Sequence, residues 1–212
     1  MTTTTATAQP AYPLTFSVDY PDRPLNRMTN AFRVVMLIPI AIVLAALTAF
    51  GASAGDSAGL VAVGGLLFLP PLLMIVFRGK YPRWWFDFNV ELMRFTNRVY
   101  AYGTLLSDRY PSTDEQQYVK LELEYPDARE DLNRWLPPVK WFLAIPHYLV
   151  LTVLGIGAVF AVVAAWFSIL FTGRYPRALF NYVVGVMRWS NRVSAYAFVL
   201  ATDKYPPFRL SH

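Results

Sequence analysis

The chain contains no cysteine and only two histidines, His147 and His212. Disulfides, thiolate metal sites and cysteine nucleophiles are therefore excluded. Two histidines cannot build a multi-histidine metal site within one chain. No metal or other cofactor is expected. Charge is also scarce, at 16% of residues, where soluble domains carry about a quarter. Set against a 55% hydrophobic content, the deficit points to a surface that faces lipid. The net charge is +5 and the pI about 9.5. The basic residues flank apolar runs and form no nucleic-acid motif, so anionic headgroups are the expected partner and nucleic acid is not. The first 13 residues are rich in Thr and Ala, with no basic residue and no apolar core. They are not a signal peptide and are expected to be a disordered tail.

Two long apolar blocks dominate the remainder. Val34 to Phe77 carries one charge, Asp56, and Trp141 to Gly173 carries none. The first block is broken by the glycine-rich stretch Gly51 to Gly59, a turn signal, which predicts transmembrane helices over about 33–50 and 60–77. The second block, about 139–173, is long for one span and short for two, with Gly155-Ile156-Gly157 as its only break. A tight hairpin and a single tilted helix both fit its length.

The chain also resembles itself. Tyr81–Tyr102 and Tyr175–Tyr196 align without gaps and are identical at 12 of 22 positions. Leu25-Asn26-Arg27 matches Leu132-Asn133-Arg134, and Asp108-Arg109-Tyr110-Pro111 resembles Asp203-Lys204-Tyr205-Pro206. This self-similarity predicts two tandem units, 14–112 and 119–208, joined by a linker at 113–118, and it favours the hairpin for the second block. Each unit opens with an alternating segment, Leu14–Tyr20 and Val119–Tyr125, expected as a strand. Amphipathic helices are expected over about 81–98 and 175–192, lying in the membrane interface, followed by strands near 99–106 and 193–200. The expected fold is thus an α-helical integral membrane protein: two tandem repeats of strand, transmembrane hairpin, interfacial amphipathic helix and strand, with four transmembrane segments and a small cytoplasmic sheet. The basic residues at the hairpin bases, Arg33 and Lys140 among them, place the bases and both termini on the cytoplasmic side of the cell membrane by the positive-inside rule.

Trp141-Phe142-Leu143-Ala144-Ile145-Pro146-His147-Tyr148, Phe171-Thr172-Gly173-Arg174-Tyr175-Pro176-Arg177 and Arg188-Trp189-Ser190-Asn191-Arg192-Val193-Ser194-Ala195-Tyr196 resemble an uncharacterised family of bacterial, mainly actinobacterial, integral membrane proteins, domain-of-unknown-function family 4389. The resemblance extends over both units, as two tandem copies, and is looser in the first, where Ile40-Ala41 stands in place of His147-Tyr148. It implies a membrane location and no established activity.

No catalytic constellation stands out, and no enzyme activity is expected. Gly51-Ala52-Ser53-Ala54-Gly55 fits the serine-hydrolase pattern G-x-S-x-G, but that motif needs a strand before it and histidine and acid partners. Here it links two apolar segments. The candidate site is the set Arg94, Asn97 and Arg98 with Arg188, Asn191 and Arg192. In the first unit Arg83 with Asp87 and Glu91 with Arg94 could pair along a helix; these acids become Asn181 and Gly185 in the second unit, yet the arginines persist. Intrahelical pairing alone does not account for them. Either they hold lipid phosphate, to which guanidinium is suited, or they are structural, binding Asp22, Asp127 or helix-end carbonyls. The functional expectation is a non-catalytic scaffold or accessory subunit of a membrane complex. The alternatives are a protein that binds anionic lipid headgroups and an oligomeric pore or transporter. The implied partners are the bilayer, anionic phospholipid, and other membrane proteins or further copies of the chain.

Overall fold

The computed structural model describes residues 12–21, 24–48, 65–113, 115 and 117–211. Its elements are β1 (Leu14–Val18), α1 (Arg27–Ala31), α2 (Arg33–Thr48), α3 (Gly65–Leu73) running into a π-helical turn (Met74–Arg78), α4 (Arg83–Gly103), β2 (Val119–Leu123), α5 (Pro137–Leu143), α6 (Ile145–Thr172) and α7 (Arg177–Ala197).

β1 and β2 pair antiparallel, with Leu14 opposite Leu123 and Val18 opposite Val119. Their alternation puts Leu14, Phe16, Val18, Val119 and Leu121 on one face, as strand periodicity requires. That face lies on α4 and α7 and seeds the main core with Phe86, Val90, Phe180, Val183 and Val184. Both long helices start after a proline, Pro82 or Pro176, in extended conformation. Proline suits that place because it has no N–H to leave unsatisfied. The apolar segments before them end on Gly79 and Gly173, at φ +57° and +74°. Glycine enters that left-handed region without a Cβ clash.

α6 has 28 residues and is about 42 Å long at 1.5 Å per residue. His147, Ala161, Ala165 and Ile169 are buried along one side. That side packs first on α7, where the Tyr182 hydroxyl donates to the Leu154 carbonyl (2.9 Å), and then near α1, where Trp166 Nε1 donates to the Asn30 carbonyl (3.2 Å). Leu149, Val153, Ile156, Phe160, Val163, Phe167 and Phe171 form the opposite side, and all are exposed.

The expected fold is corrected at several points. The second apolar block is not a hairpin. Gly155 and Gly157 lie inside α6, and a methyl group on Gly157 would come within 2.5 Å of the Tyr182 oxygen. That glycine serves close helix packing, not a turn. Among the described residues one helix, α6, is long and apolar enough to cross a membrane; α2 and the segment ending at Arg78 are shorter. Four transmembrane segments are not found among the described residues, and placing both termini on one side through an even number of crossings no longer follows. The strands expected near 99–106 and 193–200 are absent, because α4 continues to Gly103 and α7 to Ala197. The sheet has two strands, not four. Buried residues recur along the length of α7, which packs on β1, α5 and α6. The fold is therefore not two tandem copies of the expected unit. Gly51–Gly59, Asp22 and the first 11 residues lie outside the described residues.

Candidate functional site

α4 and α7 carry the six candidate residues, and the structure brings two of them together across the molecule. The Asn97 and Asn191 side chains exchange hydrogen bonds, Nδ2 of each donating to Oδ1 of the other at 2.7 Å. The second N–H of each amide donates within its own helix, to the Met93 carbonyl (2.8 Å) and the Met187 carbonyl (2.9 Å). The pair is buried and satisfied, and fixes where the two helices meet.

The four arginines radiate from this point toward main-chain carbonyls. Arg94 Nε donates to the Leu121 carbonyl of β2 (2.9 Å), and its Nη1 pairs with Glu91 (2.6 Å). Arg98 donates to the carbonyls of Thr113 (3.0 Å) and Glu115. Arg188 Nε donates to the Phe16 carbonyl of β1 (3.0 Å) and its Nη1 to the Leu210 carbonyl (2.7 Å). Arg192 donates to the carbonyls of Arg209 (3.1 Å) and Ser211 (2.7 Å). Arg98, Arg188 and Arg192 are buried. Burial lowers the pKa of Arg188 below its ordinary value; for Arg192, burial does so first, then the nearby Arg209 and Arg188 charges. The guanidinium groups thus tie both strands and the loop and C-terminal segments onto α4 and α7. Neither Asp127 nor any other carboxylate pairs with Arg188 or Arg192 in the ion pairs of the described residues. Arg94 is the most open of the four, in a shallow groove with Arg83, Asp87, Glu91, Leu123 and Tyr125.

Two further ion pairs escape a reading by composition. Arg33 and Lys140, expected as exposed orienting charges, are 2% and 0% exposed. Arg33 pairs with Asp108 and donates to the Tyr102 carbonyl (3.0 Å), with the Tyr102 ring 4.5 Å from its guanidinium carbon. Lys140 pairs with Asp203 (2.7 Å), donates to the Thr202 carbonyl (2.7 Å) and lies 5.1 Å from the Tyr196 ring. Burial lowers the Lys140 pKa, and Asp203 opposes that shift. The available signal was the resemblance of Asp108-Arg109-Tyr110-Pro111 to Asp203-Lys204-Tyr205-Pro206, which marked both acids.

His147 is fully buried. Its Nδ1 accepts from Trp189 Nε1 (3.1 Å), and its ring stacks on Phe208 at 4.0 Å and lies 4.7 Å from Tyr205. This aromatic cage holds the C-terminal segment against the start of α6. Asp56 and the G-x-S-x-G stretch fall outside the described residues. No group of three or more His, Asp or Glu side chains among the described residues is placed to hold a metal ion.

In contrast to the buried set, Arg27, Arg78, Lys80, Arg134 and Arg174 are exposed. They surround the left-handed glycines that end the apolar helices. Arg27 donates to the Phe171 carbonyl (3.2 Å) beside Gly173, and the Arg134 guanidinium lies against Gly79.

No curated protein and no solved structure matches the chain. Residues 138–209, roughly a third of the sequence and spanning α5 to the C-terminal segment, match one family model, described as Domain of unknown function (DUF4389), and this part of the chain is similar to that family.

Proposed function

We propose that this chain is an integral protein of the cell membrane, anchored through α6, that serves as a non-catalytic scaffold or accessory subunit of a membrane complex. The observation that carries the reading is the outer side of α6. Seven large apolar side chains recur there at spacings of three and four, from Leu149 to Phe171, and are exposed among the described residues. Only 11% of the most apolar 18-residue window is buried, whereas the core helix of a soluble protein is mostly covered. α2 adds exposed Val34, Val35, Ile38 and Ile42. Contiguous apolar surface of this kind marks contact with lipid or with another protein. The candidate arginines support a structural use, since their N–H groups hold the chain's own carbonyls.

Alkaline carbonate extraction of native membranes, followed by mild polymer extraction and mass spectrometry, tests the proposal. The chain is expected to stay in the membrane pellet and to carry a stoichiometric protein partner into the polymer disc. Release at high pH would remove the membrane anchoring. Retention with lipid alone, or ion flux through the purified protein in liposomes, would remove the accessory role.

A further inference from the structure

Arg78, Lys80 and Arg134 come together where the first apolar segment leaves the core. Arg78 ends the π-helical turn, and Lys80 follows it across Gly79. The Arg134 guanidinium reaches the same place from the loop before α5: a methyl group added to Gly79 would lie 2.8 Å from its Nη2. Glycine at 79 thus gives both the left-handed turn and the space into which the guanidinium fits. Three cations crowd one short turn, and Arg83 begins α4 three residues after Lys80.

None of the three forms an ion pair among the described residues. Of the acids nearest Arg134 in sequence, Asp131 accepts from the Asp127 N–H (2.9 Å) and Asp127 from the Arg129 N–H (2.8 Å), and neither they nor Glu130 forms an ion pair with the three cations. Like charges gathered about one turn repel, so an external anion is favoured. The patch is also flanked by exposed large rings, Phe77 at 76%, Trp84 at 70% and Trp135 at 75%. Tryptophan beside basic residues at the end of an apolar helix is the composition of a membrane–water boundary. A soluble polyanion would complement the charge and leave the rings in water, whereas a phospholipid complements both.

We infer that Arg78, Lys80 and Arg134 seat the phosphate of an anionic phospholipid, with Phe77, Trp84 and Trp135 lying at the level of its glycerol and upper acyl chains. The inference rests on the membrane anchoring proposed above and names a lipid for that surface. It moves lipid recognition away from Arg94, Arg98, Arg188 and Arg192 to cations that are exposed. Basic residues next to a bilayer each add to the attraction for anionic lipid.

Flotation of the full-length chain with pure phosphatidylcholine vesicles tests the anchoring separately. Failure to float there sinks the anchoring and this inference with it. The lipid seat is then tested by native mass spectrometry of the detergent-solubilised chain titrated with phosphatidylglycerol or phosphatidylcholine. The wild type is expected to retain phosphatidylglycerol about tenfold better. The triple variant Arg78→Gln, Lys80→Gln, Arg134→Gln is expected to show no preference. The control Arg109→Gln, Arg129→Gln, Lys204→Gln removes the same charge at other exposed sites and is expected to keep it. If the first triple variant does not fold, Lys80→Gln against Lys80→Arg replaces it, with the preference reduced in the former and kept in the latter. Equal retention of the two lipids by the wild type overturns the inference. So does an unchanged preference in the first variant, equal loss in both triple variants, or displacement of the lipid by millimolar inorganic phosphate.

Discussion

Lys140 has no solvent contact, and its ammonium group is shared between Asp203 and the Thr202 carbonyl. Lys140→Ala strips the partner from a mostly covered carboxylate, and loss of one member of a buried pair costs about 3 kcal/mol or more. A denaturant titration in detergent is expected to show that loss, and Asp203→Asn to show a smaller one. The Asn97–Asn191 pair obeys a different rule. Each amide is satisfied by the other, so Asn97→Ala leaves a buried amide half-paired, at about 1–3 kcal/mol. Replacing both with leucine removes the orphan and is expected to cost less than the two single alanine changes added together. Tyrosines supply the pH dependence. Burial pushes Tyr118 up to about 12 and raises Tyr81 and Tyr175 as well. Between the ordinary phenol value of about 10 and these raised values the folded state binds more protons than the unfolded one. Stability is therefore fully present below pH 10 and falls as pH rises through the folded values. Phenolate absorbance of the folded protein is expected to lag that of the denatured chain, and coincident curves would contradict the burial.

At the scale of the element, α6 decides how the molecule meets its surroundings. Phe160 lies mid-helix on the outer side and is exposed. On a water-facing helix, Phe160→Arg would be nearly neutral. In a bilayer a central arginine costs about 2.5–3.5 kcal/mol on insertion scales, so the variant is expected to be partly extracted by alkaline carbonate while Arg174→Gln is not. The same helix shows where sequence patterns succeed and fail. Strands β1 and β2 were legible because strict alternation over five residues has one physical reading, a half-buried sheet. Apolar length was legible too. The hairpin was not, because a glycine that admits a packed side chain and a glycine that makes a turn look alike in sequence. Only the Tyr182 ring beside Gly157 distinguishes them. The strands expected after α4 and α7 failed for a related reason. β-branched and aromatic residues favour strands only where packing agrees, and Phe95, Val99 and Tyr102 instead continue the buried face of α4. The arginines were found as candidates, but their carbonyl partners lie up to 172 residues away, beyond any local pattern.

For the whole molecule, the C-terminal segment is a structural member. The carbonyls of Arg209, Leu210 and Ser211 occupy Arg188 and Arg192, and Phe208 lies on His147. Ending the chain after Pro207 uncovers two buried guanidinium groups and opens the aromatic cage. The loss of three charge-assisted bonds, about 3 kcal/mol or more, corresponds to a melting temperature lower by roughly 6–12 °C in a chain of this size. A thermal scan of the truncated protein checks it, and an unchanged midpoint would show that the arginines find water instead. The pairing of β1 with β2 has a further consequence, in time. Leu14 emerges from the ribosome long before Leu123, its partner, and the Arg188 that secures the Phe16 carbonyl comes later still. The first strand must wait, unpaired, through the synthesis of most of the chain. Closing so long a loop is slow relative to local helix formation, so the helices form first and the N-terminal strand is the last piece set in place.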